Sequence, residues 1–128
     1  MVSMYNASNN EVFNLNNYNT DFTSILQCID KNYTNLSLKS LANHFHYSEA
    51  YLSTLIKKNT GFNFIVLIKK LKMASAKNYL LNTNLTIVKI SEYVGYNSAD
   101  HFSRTFKKYY SISPQQYRDS ICILKQLK

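Results

Sequence analysis

The chain repeats itself. Residues 37–62 read SLKSLANHFHYSEAYLSTLIKKNTGF, and residues 86–112 read TIVKISEYVGYNSADHFSRTFKKYYSI. At first the segments align 49 positions apart, pairing Ser37 with Thr86, Leu38 with Ile87, Leu41 with Ile90, Phe45 with Val94 and Tyr47 with Tyr96. Asn97 then enters as one extra residue. The offset becomes 50, pairing Ser48 with Ser98, Leu52 with Phe102, Ser53 with Ser103, Ile56 with Phe106, and Lys57-Lys58 with Lys107-Lys108. Apolar, hydroxyl and basic positions agree together, so two copies of one structural unit share the chain.

Each copy reads as two short helices around a tight turn. Ser37 or Thr86 can cap the first helix by accepting from its free N–H groups, and Ser48 or Ser98 can cap the second. Leu38, Leu41, Ala42 and Phe45 form one apolar face; Ile87, Ile90 and Val94 form its counterpart. Leu52, Leu55 and Ile56 face the core from the second helix of the first copy, as Phe102 and Phe106 do in the second copy. Gly95 and Asn97 are types that tolerate positive φ. His46 stands where Gly95 stands, so the first turn is expected to be strained or shaped differently. Two short helices joined by such a turn are a helix-turn-helix.

The rest of the chain fits around these copies. Residues 64–81 place Phe64, Leu67, Ile68, Leu71, Ala74 and Tyr79 at mostly helical spacing, with Lys69, Lys70, Lys72 and Lys77 expected on solvated sides. Phe22, Ile25, Leu26 and Ile29 predict a helix over 21–33. Pro114 after Ser113 starts a last helix, expected to turn Tyr117, Ile121 and Leu124 to the core. Residues 1–20 hold seven Asn without periodicity and read as a flexible arm or linker. Two Gly and one Pro in 128 residues leave little turn chemistry for a β fold. The expected fold is all-α and homeodomain-like. It has about seven helices in two helix-turn-helix subdomains, 21–82 with the long linker helix and 83–128.

The charge is concentrated on the repeats. Residues 37–118 carry twelve basic and three acidic side chains, a net of +9, while residues 1–36 carry a net of −2. A basic surface on a small helical domain attracts polyanions, nucleic acid first and an anionic membrane second. Cys28 and Cys122 lie far apart and read as buried reduced thiols. His44, His46 and His101 make no metal spacing with them. There is no Gly-rich phosphate loop or nucleophile elbow, and no nucleophile, base and orienter can be assembled. No enzyme activity, cofactor or metal is expected. No apolar run approaches the ~20 residues of a bilayer span, and no secretory signal is visible, so a cytoplasmic protein is expected.

The pattern resembles the DNA-binding domain of the AraC/XylS family of bacterial transcription regulators. The first half carries it in Leu38, Leu41, Ala42, Tyr47-Ser48, Tyr51-Leu52, Lys57-Lys58, Gly61 and the linker ending at residues 76–81, AKNYLL. The second half carries it in Ile87, Ile90, Gly95-Tyr96, residues 101–104 (HFSR), Phe106-Lys107-Lys108 and residues 113–118 (SPQQYR). The likeness covers residues 37–118. Two positions depart from it: Ser111 replaces a usual Gly, and Lys72 a usual Arg, which bears on one turn and one backbone contact.

The resemblance implies a sequence-specific transcription regulator, an activator, that binds double-stranded DNA and contacts RNA polymerase. It implies recognition helices at about 48–58 and 98–109, each lying in a major groove. A linker helix of about 18 residues would be about 27 Å long, a suitable spacer for two tandem readers in a monomer. The implied base contacts are Ala50, Ser53 and Thr54 in the first helix, and Ala99, Asp100, His101, Ser103 and Arg104 in the second. Arg104 leads, because its planar fork can bond guanine O6 and N7 together; a phosphate clamp or an ion pair with Asp100 is its other reading. Phosphate candidates are Lys57, Lys58, Lys107 and Lys108, then Lys39 and Lys89. Tyr47 and Tyr96 read as packing residues. The competing readings are a DNA-binding module of a longer regulator that supplies the sensor domain, and a basic helical module for membrane or protein surfaces.

Overall fold

The computed structural model describes residues 20–126, so the Asn-rich arm expected over 1–20 lies outside it except for Thr20. Every described element is helical: α1 (Thr20–Asn32), a 3₁₀ turn (Tyr33–Asn35), α2 (Leu38–Phe45), α3 (Glu49–Thr60), α4 (Phe64–Asn82), α5 (Ile87–Tyr93), α6 (Ala99–Tyr110) and α7 (Pro114–Gln126). Seven α-helices and no strand stand among the described residues, and none of the helices is long and apolar enough to cross a membrane.

Side-chain caps start these helices. Ser37 Oγ accepts from the Ser40 N–H at 3.0 Å, and Ser40 Oγ accepts in return from the Ser37 N–H. Ser48, Thr86 and Ser98 each accept from the backbone N–H three residues on, at 3.1 Å. Each bond satisfies a donor that the first helical turn leaves unpaired. The repeat also runs further than its side chains advertise. Asn63 Oδ1 accepts from Val66 N–H before α4, and Ser113 Oγ from Gln116 N–H before α7, at the same offset of 50.

The chain divides into two units, one ending at Leu71 and the other beginning at Lys72, within α4. The first unit packs Phe22, Ile25, Leu26, Ile29, Leu41, Leu52 and Ile56 with Phe64, Leu67, Ile68 and Leu71 from the first half of α4. The second packs Ile90, Val94, Phe102 and Phe106 with Met73, Ala76 and Leu80 from its second half. Met73, Ala76 and Leu80 are core positions that the expected apolar list for the linker omitted.

The two turns share one shape. Tyr47 N–H donates to Ala42 O and Tyr96 N–H to Ser91 O, both at 2.9 Å. His46 achieves this with φ 61°, ψ 36°, and Gly95 with φ 94°. The first turn is therefore built like the second, with the cost carried by His46, because an L side chain in the left-handed region costs about 1–2 kcal/mol. Asn97 is not among the positive-φ residues, so the tolerance expected of it is unused.

Other expectations need correction. Lys72 Nζ donates to Gly95 O at 3.2 Å and lies 5.0 Å from the Tyr96 ring centroid. Lys70 lies over Phe62, and Lys77 over Tyr110 and Tyr117. These cations cover rings with their heads instead of solvating bare faces. Leu124 is 56% exposed and Ile121 only partly covered, so α7 delivers Tyr117 alone of its expected trio to the core. Both cysteines are free, Cys28 half-buried and Cys122 exposed, not a buried pair.

Candidate nucleic-acid interface

In each second helix the core residues fix the outward face. Leu52 and Ile56 are fully buried on α3, as Phe102 and Phe106 are on α6. Opposite them, at spacings of three and one, run Ala50, Ser53, Thr54, Lys57 and Lys58 on α3, and Asp100, Ser103, Arg104, Lys107 and Lys108 on α6. Ser53 and Ser103 are half-buried; the other eight are exposed. Ala99, half-buried, and His101, exposed, flank the stripe of α6. Apart from Ala99 and His101, the sequence-derived candidates on these helices form one stripe per unit.

The stripes differ in chemistry. Thr54 Oγ1 donates to Ala50 O at 3.0 Å, and Lys57 Nζ to Gly61 O at 3.2 Å. Two outward donors of α3 are thereby partly committed to their own helix. On α6, no ion pair joins Arg104 to Asp100. Ser53, Thr54, Lys57 and Lys58 line an open groove together with Asn63, the cap of α4. Lys39 is exposed on α2. Lys89 is exposed on α5 and lies 3.6 Å from Glu92 Oε2. An exposed pair of this kind contributes little and leaves the cation open to exchange partners.

Aromatic contacts set the first turn of both helices. Tyr47 meets Tyr51 with ring centroids 4.9 Å apart, and Tyr96 meets His101 at 5.2 Å. Tyr51 is 53% exposed and occupies the repeat position of His101. It was absent from the contacts that the resemblance implied, although the repeat offset of 50 pairs it with His101. Tyr47 and Tyr96 pack against their cores as expected. Burial pushes the Tyr96 phenol above its ordinary value, with a hydrogen bond to Thr105 opposing, and burial alone pulls the Lys72 ammonium down.

Lys72 and Arg118 hold the frame of the second unit. The Arg118 guanidinium donates to Leu80 O at 3.3 Å, Thr83 O at 3.1 Å and Tyr79 O at 3.5 Å, and also to Leu85 O. It closes the carbonyl end of α4, where a cation suits the helix dipole. Among the described residues no group of three or more His, Cys, Asp or Glu is placed to hold a metal ion.

Comparison with known proteins agrees with this geometry. A family model described as a helix-turn-helix domain matches residues 41–120. The regulatory protein PocR of Salmonella typhimurium is 31% identical over 86 residues, which are 67% of this chain and 28% of PocR. The multiple antibiotic resistance protein MarA of the same organism is 33% identical over 96 residues, covering 74% of this chain and 76% of MarA. Among solved structures, the C-terminal domain of AraT, a response regulator from Geobacillus stearothermophilus, superposes with a TM-score of 0.77 at 38% identity. That match covers 81% of this chain and 88% of that one. The chain spans little more than a quarter of PocR and 37% of a second relative, the raffinose operon regulatory protein RafR of Pediococcus pentosaceus.

Proposed function

The chain belongs to the AraC/XylS family of helix-turn-helix regulators, and on that premise we propose that it is a sequence-specific double-stranded DNA-binding transcription activator that lays α3 and α6 in successive major grooves. The observation that carries this reading is the paired outward stripe, repeated at an offset of 50 and ending both times in Lys-Lys. Groove-reading helices present base-directed side chains in their first turns and cations where phosphates pass.

Arg104 is the leading base reader, as a fork for guanine; Asp100, His101, Ser103 and Ala99 surround it. Ala50, Ser53 and Thr54 form the weaker reader, with Ala50 placed for a thymine methyl. Lys58, Lys107 and Lys108 are assigned to phosphates, with Lys57 competing for its own helix end and Lys39 and Lys89 peripheral. The domain acts as a monomer in the cytoplasm and contacts RNA polymerase at the promoter. A second reading, a DNA-binding module within a longer regulator, is favoured by the short span of PocR and RafR that the chain matches.

The test is fluorescence anisotropy against genomic-fragment and random duplexes at two salt concentrations, with a promoter reporter for the sign of regulation. A preferred fragment should outcompete random DNA. Arg104→Ala should lower that preference by about 1–3 kcal/mol, the worth of a bidentate base contact, and Thr54→Ala by less. Equal, salt-steep binding to every duplex would reduce the function to that of a basic surface.

A further inference from the structure

The turn of the second unit is one residue longer than that of the first, and its Gly95 has no side chain to hold it. Its carbonyl is nevertheless pinned. Lys72 Nζ donates to Gly95 O at 3.2 Å while sitting over the ring of the next residue, Tyr96. That ring touches His101 edge-on at 5.2 Å and Phe102 at 5.6 Å. The Thr105 hydroxyl, one turn further on, donates to His101 O at 2.8 Å. One ammonium on α4 therefore reaches the first turn of α6 through a single aromatic ring.

We propose that Lys72 is a positioning residue for the second reading helix, holding Gly95 and Tyr96 so that His101 and the start of α6 keep the orientation that selects a sequence. The proposal deepens the DNA-reading assignment and rests on it for its functional arm. Lys72 does not act as a phosphate contact in this view: it is half-buried, and its head is committed to a carbonyl and a ring. A cation held over a tyrosine face and on a carbonyl at once is fixed in both direction and distance, which a lone surface lysine is not.

The experiment compares the full chain with Lys72→Met and Lys72→Arg by two readouts. The first needs no DNA: the ring resonances of His101 in nuclear magnetic resonance spectra, which sense the Tyr96 ring edge. They should shift in Lys72→Met and return in Lys72→Arg, whose guanidinium can donate to the same carbonyl and stack on the same ring. The second is the affinity ratio between a preferred and a random duplex at two salt concentrations. Lys72→Met should lower the ratio about tenfold, as losing one base pair's readout does. The salt slope should stay unchanged, whereas loss of a phosphate contact lowers it by about 0.9.

An unmoved His101 signal in a folded Lys72→Met chain overturns the proposal, and so does a salt slope lowered by about one. If Lys72→Met does not fold, Lys72→Arg decides: a folded chain with a displaced His101 signal overturns it, and an undisplaced one with the preference intact supports it. If the unaltered chain prefers no duplex, the DNA-reading assignment fails, while the His101 signal still decides whether Lys72 positions α6.

Discussion

Beneath the outward stripe of the first copy lie Leu52 and Ile56; beneath that of the second lie Phe102 and Phe106. The second core is an aromatic chain. Phe102 meets Phe106 at 5.9 Å, and Phe106 meets Tyr110 at 4.8 Å and Tyr117 at 6.0 Å. The left-handed positions are traded as well. Each copy has two, one in its turn and one ending its second helix. The first copy fills them with His46 and Gly61, the second with Gly95 and Ser111. The chain's two glycines thus sit in opposite places. Ala42 and Ser91 are partners too, and the Ser91 hydroxyl is satisfied by donating to Val88 O at 2.6 Å. The two copies agree in backbone shape and in caps. They differ in which residue, and what side-chain volume, fills a site, and the buried hydroxyl of Ser91 finds a partner.

That comparison can be broken at its cores first. Phe102→Ala should cost about 4 kcal/mol and Leu52→Ala about 3, because each leaves a cavity in proportion to the atoms removed. Amide hydrogen exchange, residue by residue, should show the loss of protection concentrated in the mutated copy. Arg118→Ala should cost about 2–3 kcal/mol by taking the guanidinium from Leu80 O, Thr83 O and Leu85 O, while Tyr79 O keeps its bonds from Thr83. Its repeat partner, Ile68, is an apolar core residue, so a change there should follow cavity rules instead.

The left-handed sites sharpen the comparison at smaller magnitude. Gly95→Ala should destabilise by about 1–2 kcal/mol, and His46→Gly and Ser111→Gly should each stabilise by several tenths to about 1 kcal/mol. At Gly61 an added Cβ would meet nothing within 4 Å, so Gly61→Ala isolates the backbone penalty from packing. Urea midpoints of the four variants should show opposite signs at paired positions.

The smallest effect is alkaline. Burial, then the neighbouring Tyr109 and Tyr117, pushes the Tyr110 phenol up to about 12 from 10.0. A raised acid contributes stability that is fully present below its unfolded value and is lost as pH rises through its folded one. Stability should therefore fall between about pH 10 and 12. A tyrosinate absorbance titration should lose its latest step in Tyr110→Phe. The first copy has Thr60 at this position and should be unaffected.

Much of this was legible in sequence because it is local. A Ser or Thr three residues before an N–H that it can accept from declares a helix start wherever it occurs, and Ser37, Ser48, Thr86 and Ser98 did so. The candidate contact positions on α3 and α6 came from the family resemblance, and most of them lie on the face opposite the buried residues. What escaped was the inward use of cations. Hydrophobic periodicity treats Lys72, Lys77 and Arg118 as solvent-facing, yet each finds a carbonyl or a ring contributed by residues far along the chain. No spacing rule contains that information. Leu124 failed in the opposite sense: it has the right type and period, but α7 has run past the core that would cover it. Tyr51 was not among the candidate contacts although its repeat partner, His101, was, because the two copies carry different residue types at that position.

α4 gives the two copies more than a connection. A linear array of repeats is described by an intrinsic stability for each repeat and a coupling energy between neighbours. In this chain the coupling has a material carrier. A single uninterrupted helix, Phe64–Asn82, supplies Leu71 to one core and Met73 to the other. Starting a helix is the unfavourable step, with a nucleation parameter on the order of 10⁻³, or about 4 kcal/mol, whereas extending one is close to neutral. Whichever copy orders first has already nucleated the helix that its neighbour needs. A substitution that breaks α4 near the Leu71–Met73 junction should therefore lower amide protection in both copies, whereas a cavity confined to one core should lower it mainly there.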